Sequence, residues 1–335
     1  AAMGTSAKEL TILVLYQCAT LRVVSSGSDG EGTRKKLAPA LLFLRDAGIA
    51  LVFVASILLA MYAYTGLWPP LVVVESESMM HSEDNVSYVG VIDTGDLVLV
   101  KSVDSASDIE TYMEGYTSGH RTYGDYGDVI VYLVNGNELA TPIIHRAIVY
   151  LEANDDGNSF SCEALRDADG EKWDTTDPDD TWDHLTSTLR IYDVGFQSET
   201  VAIDTSRLVV ADGYITKGDH NDNTDQSLSS RNTPVKVSWI VGKARGEIPW
   251  FGLLKLWATD SLKSDAPPNS VRDLWISLAF IVIGPIMLDV VITYKIRKRI
   301  ARKREAAIRE YQAEQVSMKP LTPEEGPPPP EPPAA

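Results

Sequence analysis

The sequence predicts a mainly β domain that is anchored in a membrane by two transmembrane α-helices. Two apolar runs, residues 47–68 and 274–294, are each long enough to span a bilayer. Between them lie short runs rich in β-branched residues and bounded by glycine and aspartate, which is the pattern of strands and turns. No long segment within residues 71–250 repeats its apolar residues with the period of a helix.

The first apolar run carries no charge from Ala47 to Val74. Its core, residues 47–68, has 22 residues, and a helix needs about 20 apolar residues to cross the hydrocarbon. Pro69 and Pro70 are expected to end this helix. A buried soluble helix would show periodic polar positions, and a cleaved signal sequence would be shorter and nearer the start of the chain.

The second apolar run predicts a helix over residues 273–294, although Gly284, Pro285 and Asp289 interrupt it. Glycine and proline are tolerated in membrane helices. Asp289 lies near one end of the run, where a carboxylate can reach head groups or water. A third apolar stretch, residues 10–21, has only 12 residues and is not expected to span.

Basic residues flank both runs on the sides away from the predicted β domain: Arg34, Lys35, Lys36, Arg45 and the segment 295–304. Basic flanks stay in the cytoplasm. We therefore expect a multi-pass protein of the cell membrane in which residues 1–46 and 295–335 are cytoplasmic. Residues 69–272 would then form an extracytoplasmic domain, and the Pro-rich end of the tail is expected to be disordered.

The charge and the cysteines exclude several classes of function. Residues 47–294 hold 15 basic and 37 acidic residues, a net charge of −22. Such a surface does not suit nucleic acid, whose phosphates need basic partners. Two cysteines exclude a disulfide scaffold and a multi-cysteine metal site. Cys18 and Cys162 would lie on opposite sides of the membrane, so they are not expected to pair.

Six runs in the middle of the chain are predicted as strands: 96–101, 128–134, 142–152, 207–211, 213–219 and 235–244. Two polar segments, 102–127 and 154–185, are predicted as insertions. We expect the second, which is strongly acidic and rich in turn residues, to be a solvated surface excursion. A weak calcium site at residues 177–180 is the alternative.

Three segments beside predicted strands carry residues that could do chemistry. Ser78 follows a strand-like apolar run, His145 lies within an apolar strand, and Asp219 and Asp225 lie in a polar turn. A serine needs a neighbouring base to become a nucleophile, and a carboxylate beside an imidazole fixes its tautomer. The set therefore suggests a serine hydrolase. A structural histidine, simple Asx turns and a calcium loop beginning at Asp219 remain the alternatives.

Together with their order along the chain, these segments resemble type I signal peptidases, most closely the histidine-using branch found in archaea and the endoplasmic reticulum. The matching segments are SESM (76–79), GDLVLVK (95–101), GDVIVY (127–132), HR (145–146), KGDHNDNTD (217–225) and GKARGEIPWFG (242–252). The resemblance implies a signal-peptidase-like β-fold. It covers about residues 70–150 and 205–250, plus the predicted anchors.

The resemblance also implies a role for each candidate residue. Ser78 would be the nucleophile and His145 the general base. Asp225 would orient His145, and Asp219 would support the site. Ser76 would donate its hydroxyl to the oxyanion hole beside the backbone N–H of Ser78.

Three positions depart from the family pattern. Glu77 stands where the family often has glycine, His81 where it usually has proline, and His220 where it has asparagine. Glu77 could narrow the cleft or repel acidic substrates. His81 is an alternative base because it lies three residues from Ser78, and His220 could perturb the two aspartates.

The function implied is that of a membrane-bound serine endopeptidase that removes signal peptides from exported precursors. Its partners would be those signal peptides, the lipid bilayer and, as a candidate, the secretion channel; no cofactor, metal or nucleic acid is expected. Ser78 follows Trp68 by ten residues, a tether of at most about 33 Å. The apolar segment 248–257 is expected to dip into the membrane interface. The alternatives are an inactive surface-anchored binding module on the same scaffold and a calcium-dependent surface protein.

Overall fold

The structure is a computed structural model that describes residues 34–262 and 265–317. Its chain forms two compact units, one ending at Gly66 and the other beginning at Leu67. The apolar stretch 10–21, Cys18 and the Pro-rich end of the tail lie outside the described residues.

The described residues form five α-helices: α1 (Arg34–Thr65), α2 (Tyr112–Ser118), α3 (Glu163–Arg166), α4 (Gly252–Thr259) and α5 (Pro268–Ser317). They also form twelve strands: β1 (Leu71–Val73), β2 (Leu97–Lys101), β3 (Arg121–Thr122), β4 (Asp125–Tyr126), β5 (Val129–Tyr132), β6 (Ile143–Ala153), β7 (Phe160–Ser161), β8 (Trp173–Thr175), β9 (Thr188–Val194), β10 (Glu199–Asp204), β11 (Gly213–Lys217) and β12 (Ile240–Ile248). The predicted combination of a mainly β domain and two long apolar helices is confirmed.

The first unit consists, in its described part, of α1. Its segment Phe43–Thr65 is long and apolar enough to cross a membrane. The helix ends three residues before the predicted boundary at Trp68. Gly66 follows it with a φ of +71° and donates its N–H to the carbonyl of Tyr62 at 2.8 Å. Glycine adopts this left-handed conformation without a Cβ clash, so it ends the helix before the prolines are reached.

The second unit is built on an antiparallel sheet in the order β1-β2-β12-β5-β6-β11, with β7 added to β6. A three-stranded sheet, β10-β9-β8, and the short pair β3-β4 complete it. Strand β5 has apolar layers on both faces. Val129 and Val131 belong to one buried cluster, whereas Ile130 and Tyr132 belong to another. Burial on both faces explains why this strand reads as a continuous apolar run rather than an alternating one.

One predicted strand, residues 207–211, is wrong. A turn of 3-10 helix over Thr205–Arg207 is followed by irregular chain. Val209 and Val210 are exposed there, and the N–H of Val209 donates to the carbonyl of Asn232 outside any strand. Strands β9 and β10 were not predicted, although the alternating burial of β9 is legible in its sequence.

The segment 154–185 is not the solvated excursion that its acidity suggests. Phe160, Cys162, Leu165 and Leu185 are buried in a core shared with β6, β9 and β10. Cys162 is a free buried thiol, and burial raises its pKa to about 12. The segment therefore belongs to a packed layer whose acidic residues face outward.

The other predicted insertion, residues 102–127, is also partly folded. Thr111 caps α2 with a capping box that pairs it with Glu114. Tyr112 and Met113 of this helix are buried in the same core as Phe160. Both insertions thus contribute to one apolar layer.

Helix α5 begins at Pro268, a favoured residue at the first position of a helix. By length and composition, its segment Pro268–Ala313 is able to cross a membrane. It has 50 residues, about 75 Å at 1.5 Å per residue, because the basic segment continues the helix beyond the predicted end at residue 294. At its start, Leu274 packs with Leu253 and Leu256 of α4.

Two buried carboxylates next to β2 make stability depend on pH. Burial raises the pKa of Asp96 to about 7 and that of Asp93 to about 6. Asp96 accepts the backbone N–H groups of Asp93 and Trp250, each at 2.9 Å. Because the pKa of Asp96 is raised on folding, its protonation favours the folded state. This contribution is complete below the unfolded pKa of about 4 and is lost as the pH rises towards 7.

We expect Asp96→Asn to flatten the dependence of thermal stability on pH between 4 and 7. The thermal midpoint of the wild type, relative to that of the variant, should fall as the pH rises through this window. The measurement is thermal unfolding of the detergent-solubilised chain at several pH values. The matched control is Asp104→Asn, at an exposed carboxylate; a wild-type-to-variant difference that is constant with pH would contradict the assignment.

Candidate active site

The segment that carries Ser78 is held between two anchors. On one side Val74 is buried and exchanges backbone hydrogen bonds with the 95–96 turn, at 3.0 Å each. On the other side Met79 and Met80 are each 1% exposed. Ser78 itself is half-buried. The residues before and after the serine are therefore fixed by packing, and its hydroxyl is left at the wall of a cleft.

His145 lies on β6, where it pairs with Ile130 of β5, and is 6% exposed. Its Nε2 is 3.0 Å from the Oγ of Ser78. Its Nδ1 is 2.6 Å from the Oδ2 of Asp225. The structure thus brings Ser78, His145 and Asp225 into one chain of hydrogen bonds, from residues 67 and 80 positions apart in the sequence.

The surroundings of Asp225 determine the tautomer of His145. Burial would raise the pKa of Asp225, but hydrogen bonds from His145, Thr216 and Tyr132 outweigh it and hold the pKa below its usual range. The hydroxyls of Tyr132 and Thr216 donate to Oδ2 at 2.8 and 2.7 Å. An ionised carboxylate only accepts, so the proton lies on Nδ1 of His145. Nε2 is then free to accept the proton of Ser78.

Asp219 does not touch His145 but forms a buried ion pair with Arg146. Nε and Nη2 of Arg146 donate to its two oxygens at 2.8 and 2.6 Å. Burial would raise the pKa of Asp219, but the guanidinium of Arg146 and the ring of His81 hold it well below its usual range. Asp219 therefore anchors the loop that carries Asp225, which is a supporting role.

Gly218 is needed where this loop passes Ser78. A Cβ at this position would lie 2.5 Å from the carbonyl oxygen of Ser78 and 2.9 Å from Nε2 of His145. Beside it, the N–H of His220 donates to the same carbonyl of Ser78 at 2.9 Å. Close backbone approach at glycine thus sets the distance between serine and histidine.

The hydroxyls of Ser76 and Ser78 are 3.3 Å apart, and both side chains line a cleft of about 1060 Å³. Glu77 also lines the cleft and is exposed. The carboxylate of Glu77 adds negative charge to the cleft, and the hydroxyls of Ser76 and Ser78 remain within contact of each other. The placement is that expected of a donor to a developing oxyanion next to the nucleophile.

His81 is not placed as an alternative base. Its Nε2 bonds Oδ2 of Asp219 at 2.8 Å, so it faces the ion pair with Arg146 rather than Ser78. Because Asp219 is ionised, Nε2 of His81 is the donor. The ring of His220, the other departure from the family pattern, stacks on Phe196.

Three functional partners were not assigned from the sequence: Arg146, Tyr132 and Thr216. Arg146 follows His145 directly, and an arginine inside an apolar strand signals a buried carboxylate partner. Tyr132 and Thr216 each end or interrupt an apolar run. Nothing in the sequence links either hydroxyl to Asp225.

Several of the carboxylates proposed for calcium already accept hydrogen bonds within the protein. Asp219 and Asp225 accept from Arg146 and from the hydroxyl and imidazole donors described above. In the 177–180 segment, Asp180 accepts from Thr186 and Ser187. Among the residues that the structure describes, no group of three or more His, Cys, Asp or Glu side chains is arranged to hold a metal ion.

Arg146→Met should destabilise the fold by about 3–5 kcal/mol, because it leaves the carboxylate of Asp219 buried without its counter-charge. The measurement is chemical unfolding of the solubilised chain. The matched control is Arg190→Met, since Arg190 and Asp174 form an ion pair at 3.5 Å with side chains 40% and 47% exposed. That control should cost less than about 1 kcal/mol; equal losses in the two variants would contradict a special role for Arg146.

The chain was also compared with known proteins. A scan against models of protein families finds no match, and a search of curated proteins finds none that matches either.

Proposed function

We propose that this protein is a membrane-bound serine endopeptidase that removes signal peptides from exported precursor proteins, as the resemblance to type I signal peptidases implies. The observation that carries the proposal is the hydrogen-bonded chain from Ser78 through His145 to Asp225, with contacts of 3.0 and 2.6 Å. A serine, an imidazole and an ionised carboxylate in this order are the parts of an acyl-transfer site. The reaction needs no metal or cofactor.

In the first step Oγ of Ser78 attacks the scissile carbonyl while Nε2 of His145 takes the serine proton. The ionised Asp225 stabilises the imidazolium that forms. The imidazolium then gives its proton to the departing amine, and the acyl group remains on Ser78. A water activated by the same histidine hydrolyses this ester and regenerates the serine.

Negative charge develops on the carbonyl oxygen during both steps. The backbone N–H of Ser78 and the hydroxyl of Ser76 are the proposed donors to that oxygen. Their support is the 3.3 Å separation of the two serine hydroxyls and their shared position in the cleft wall. Preformed donors of this kind each contribute about 10²–10³ in rate.

The walls of the cleft suit an extended peptide. Strand β1 lies at the end of the main sheet, and its three residues line the cleft. Ile143 and Ile144 of β6 line the same cleft and lie beyond the last pairing of β6 with β11, at Arg146. In the described chain, two strand edges thus border the same cleft. A substrate segment added as a strand between them would bond both edges through its backbone.

The signal-peptidase interpretation also places the site near a bilayer. The two apolar helices are consistent with membrane association. Leu254 and Trp257 of α4 are about two-fifths exposed, while Leu253 and Leu256 are buried. An apolar face on a short helix next to α5 suits the interface between lipid and water. We propose that the β domain is extracytoplasmic and that both termini are cytoplasmic.

Ser78→Ala and His145→Ala should each abolish cleavage of a precursor by the purified, detergent-solubilised protein. The first removes the attacking oxygen and the second removes the group that accepts its proton. The measurement is release of the signal peptide and the mature protein, resolved by mass spectrometry. His184→Ala is the matched control because the side chain of His184 is exposed and its ion pair with Asp156 is long, at 3.8 Å.

The rival function, an inactive binding module, gives a different result. Binding of the precursor without cleavage, unchanged by Ser78→Ala, would support the module and overturn the peptidase. Cleavage that persists in His145→Ala would overturn the assignment of the base. Cleavage that stops on addition of a calcium chelator would instead favour the calcium-dependent alternative.

The proposed orientation predicts the labelling of single cysteines in intact cells. Leu139→Cys, at a residue 98% exposed in the β domain, should react with a membrane-impermeant maleimide. Ala301→Cys, in the basic part of α5, should react only after the membrane is permeabilised. A Cys18→Ser background leaves Cys162, which is buried, as the one native cysteine of the sequence. The reverse pattern would overturn the orientation.

A further inference from the structure

The hairpin formed by β9 and β10 reaches the loops that hold the nucleophile. Its tip, residues 194–199, lies between two strands of the small sheet. That sheet is separate from the main sheet that carries His145. Contacts between the tip and the catalytic loops therefore join two layers of the unit at the site.

Phe196 at the tip stacks with two histidine rings. Its ring centroid lies 4.8 Å from that of His81, with the planes 18° apart, and 6.1 Å from that of His220, with the planes 9° apart. His81 belongs to the segment that follows Ser78, and His220 to the loop that follows Gly218. One aromatic side chain thus holds together the two chain segments that meet at the nucleophile.

Polar contacts at the tip act on the same two segments. Glu199 forms an ion pair with Lys217 at 3.0 Å. Lys217 is 2% exposed and also donates to the carbonyl of Gly218 at 3.3 Å. On the other side, the amide of Gln197 donates to the carboxylate of Glu83 at 3.0 Å. The tip therefore binds residues 81–83 through Phe196 and Gln197, and residues 217–220 through Phe196 and Glu199.

Both segments determine the position of Ser78. The N–H of His220 donates to the carbonyl of Ser78, and Gly218 packs against the same carbonyl and against His145. A shift of either segment changes the distance between Oγ of Ser78 and Nε2 of His145. Neither Phe196 nor Glu199 lines the cleft.

We propose that Phe196 and Glu199 are positioning residues that hold the nucleophile segment and the 217–220 loop in register for acyl transfer. The inference rests on the proposed function, because it names residues that serve the same site. The two residues act through His81, His220 and Lys217 and do not touch the substrate. Their loss is expected to lower kcat and to leave KM nearly unchanged.

The test compares Phe196→Ala and Glu199→Gln with the wild type in the precursor-cleavage assay. Each should lower kcat about 10-fold or more, since small misplacements of reacting groups are costly, with KM within about twofold. Phe196→Tyr keeps the aromatic stack and should restore kcat. Thr200→Ala, at an exposed position of the same strand, is the matched control and should resemble the wild type.

Hydrogen exchange on the full solubilised chain measures the opening of the two segments and does not require catalytic activity. In Phe196→Ala, peptides covering residues 79–83 and 217–225 should exchange faster than in the wild type, whereas those covering β5 should not change. Unchanged exchange, or an unchanged kcat in an active wild type, would overturn the inference. An inactive wild type with faster exchange in the variant would overturn the proposed function and leave the positioning contacts standing.

Discussion

The ion pair between Arg146 and Asp219 is the interaction on which the rest of the site depends. Both side chains are almost entirely buried, and Nη1 of Arg146 also donates to the carbonyls of Thr122, Tyr126 and Gly127 at 3.0–3.1 Å. One guanidinium therefore joins β6, the loop after β11 and the turns around β4. Removing either partner would leave an uncompensated charge in the interior, a large cost compared with the stability of an ordinary domain.

Side chains alternate between the two faces of a β-strand. This alternation explains how the loop that carries Asp219 and Asp225 is anchored to β6 and also orients His145. His145 and Arg146 are neighbours on β6, and neighbouring side chains of a strand point to opposite faces. His145 reaches Asp225 and Arg146 reaches Asp219, so the segment between the two aspartates extends across both faces of β6. The loop is anchored on one face by the ion pair and orients the imidazole on the other. Asp219 thus contributes to the geometry of the site without contacting Ser78.

The acidic segments beside the main sheet give the domain a second layer. Their charges face solvent, while Phe160, Leu165 and Leu185 form a core with β9 and β10. That core supports the hairpin whose tip contacts His81 and Glu83, in the segment that follows Ser78. The segment 154–185 has the composition of a surface loop, yet it contributes to the rigidity of the site. Its composition is dominated by exposed residues, because the buried ones are few and widely spaced.

The two apolar helices, five of the strands and the residues Ser78, His145 and Asp225 could be predicted from the sequence, because length, periodicity and residue type are local properties. The sequence also predicted that Asp219 and Asp225 lie in a turn. Only the tertiary structure shows that Arg146 pairs with Asp219 and that His81 bonds the same carboxylate rather than Ser78. It also shows that Phe196 stacks with His81 and His220. These contacts join residues far apart in the chain, and they are determined by how strands pair and layers pack, which no local pattern encodes.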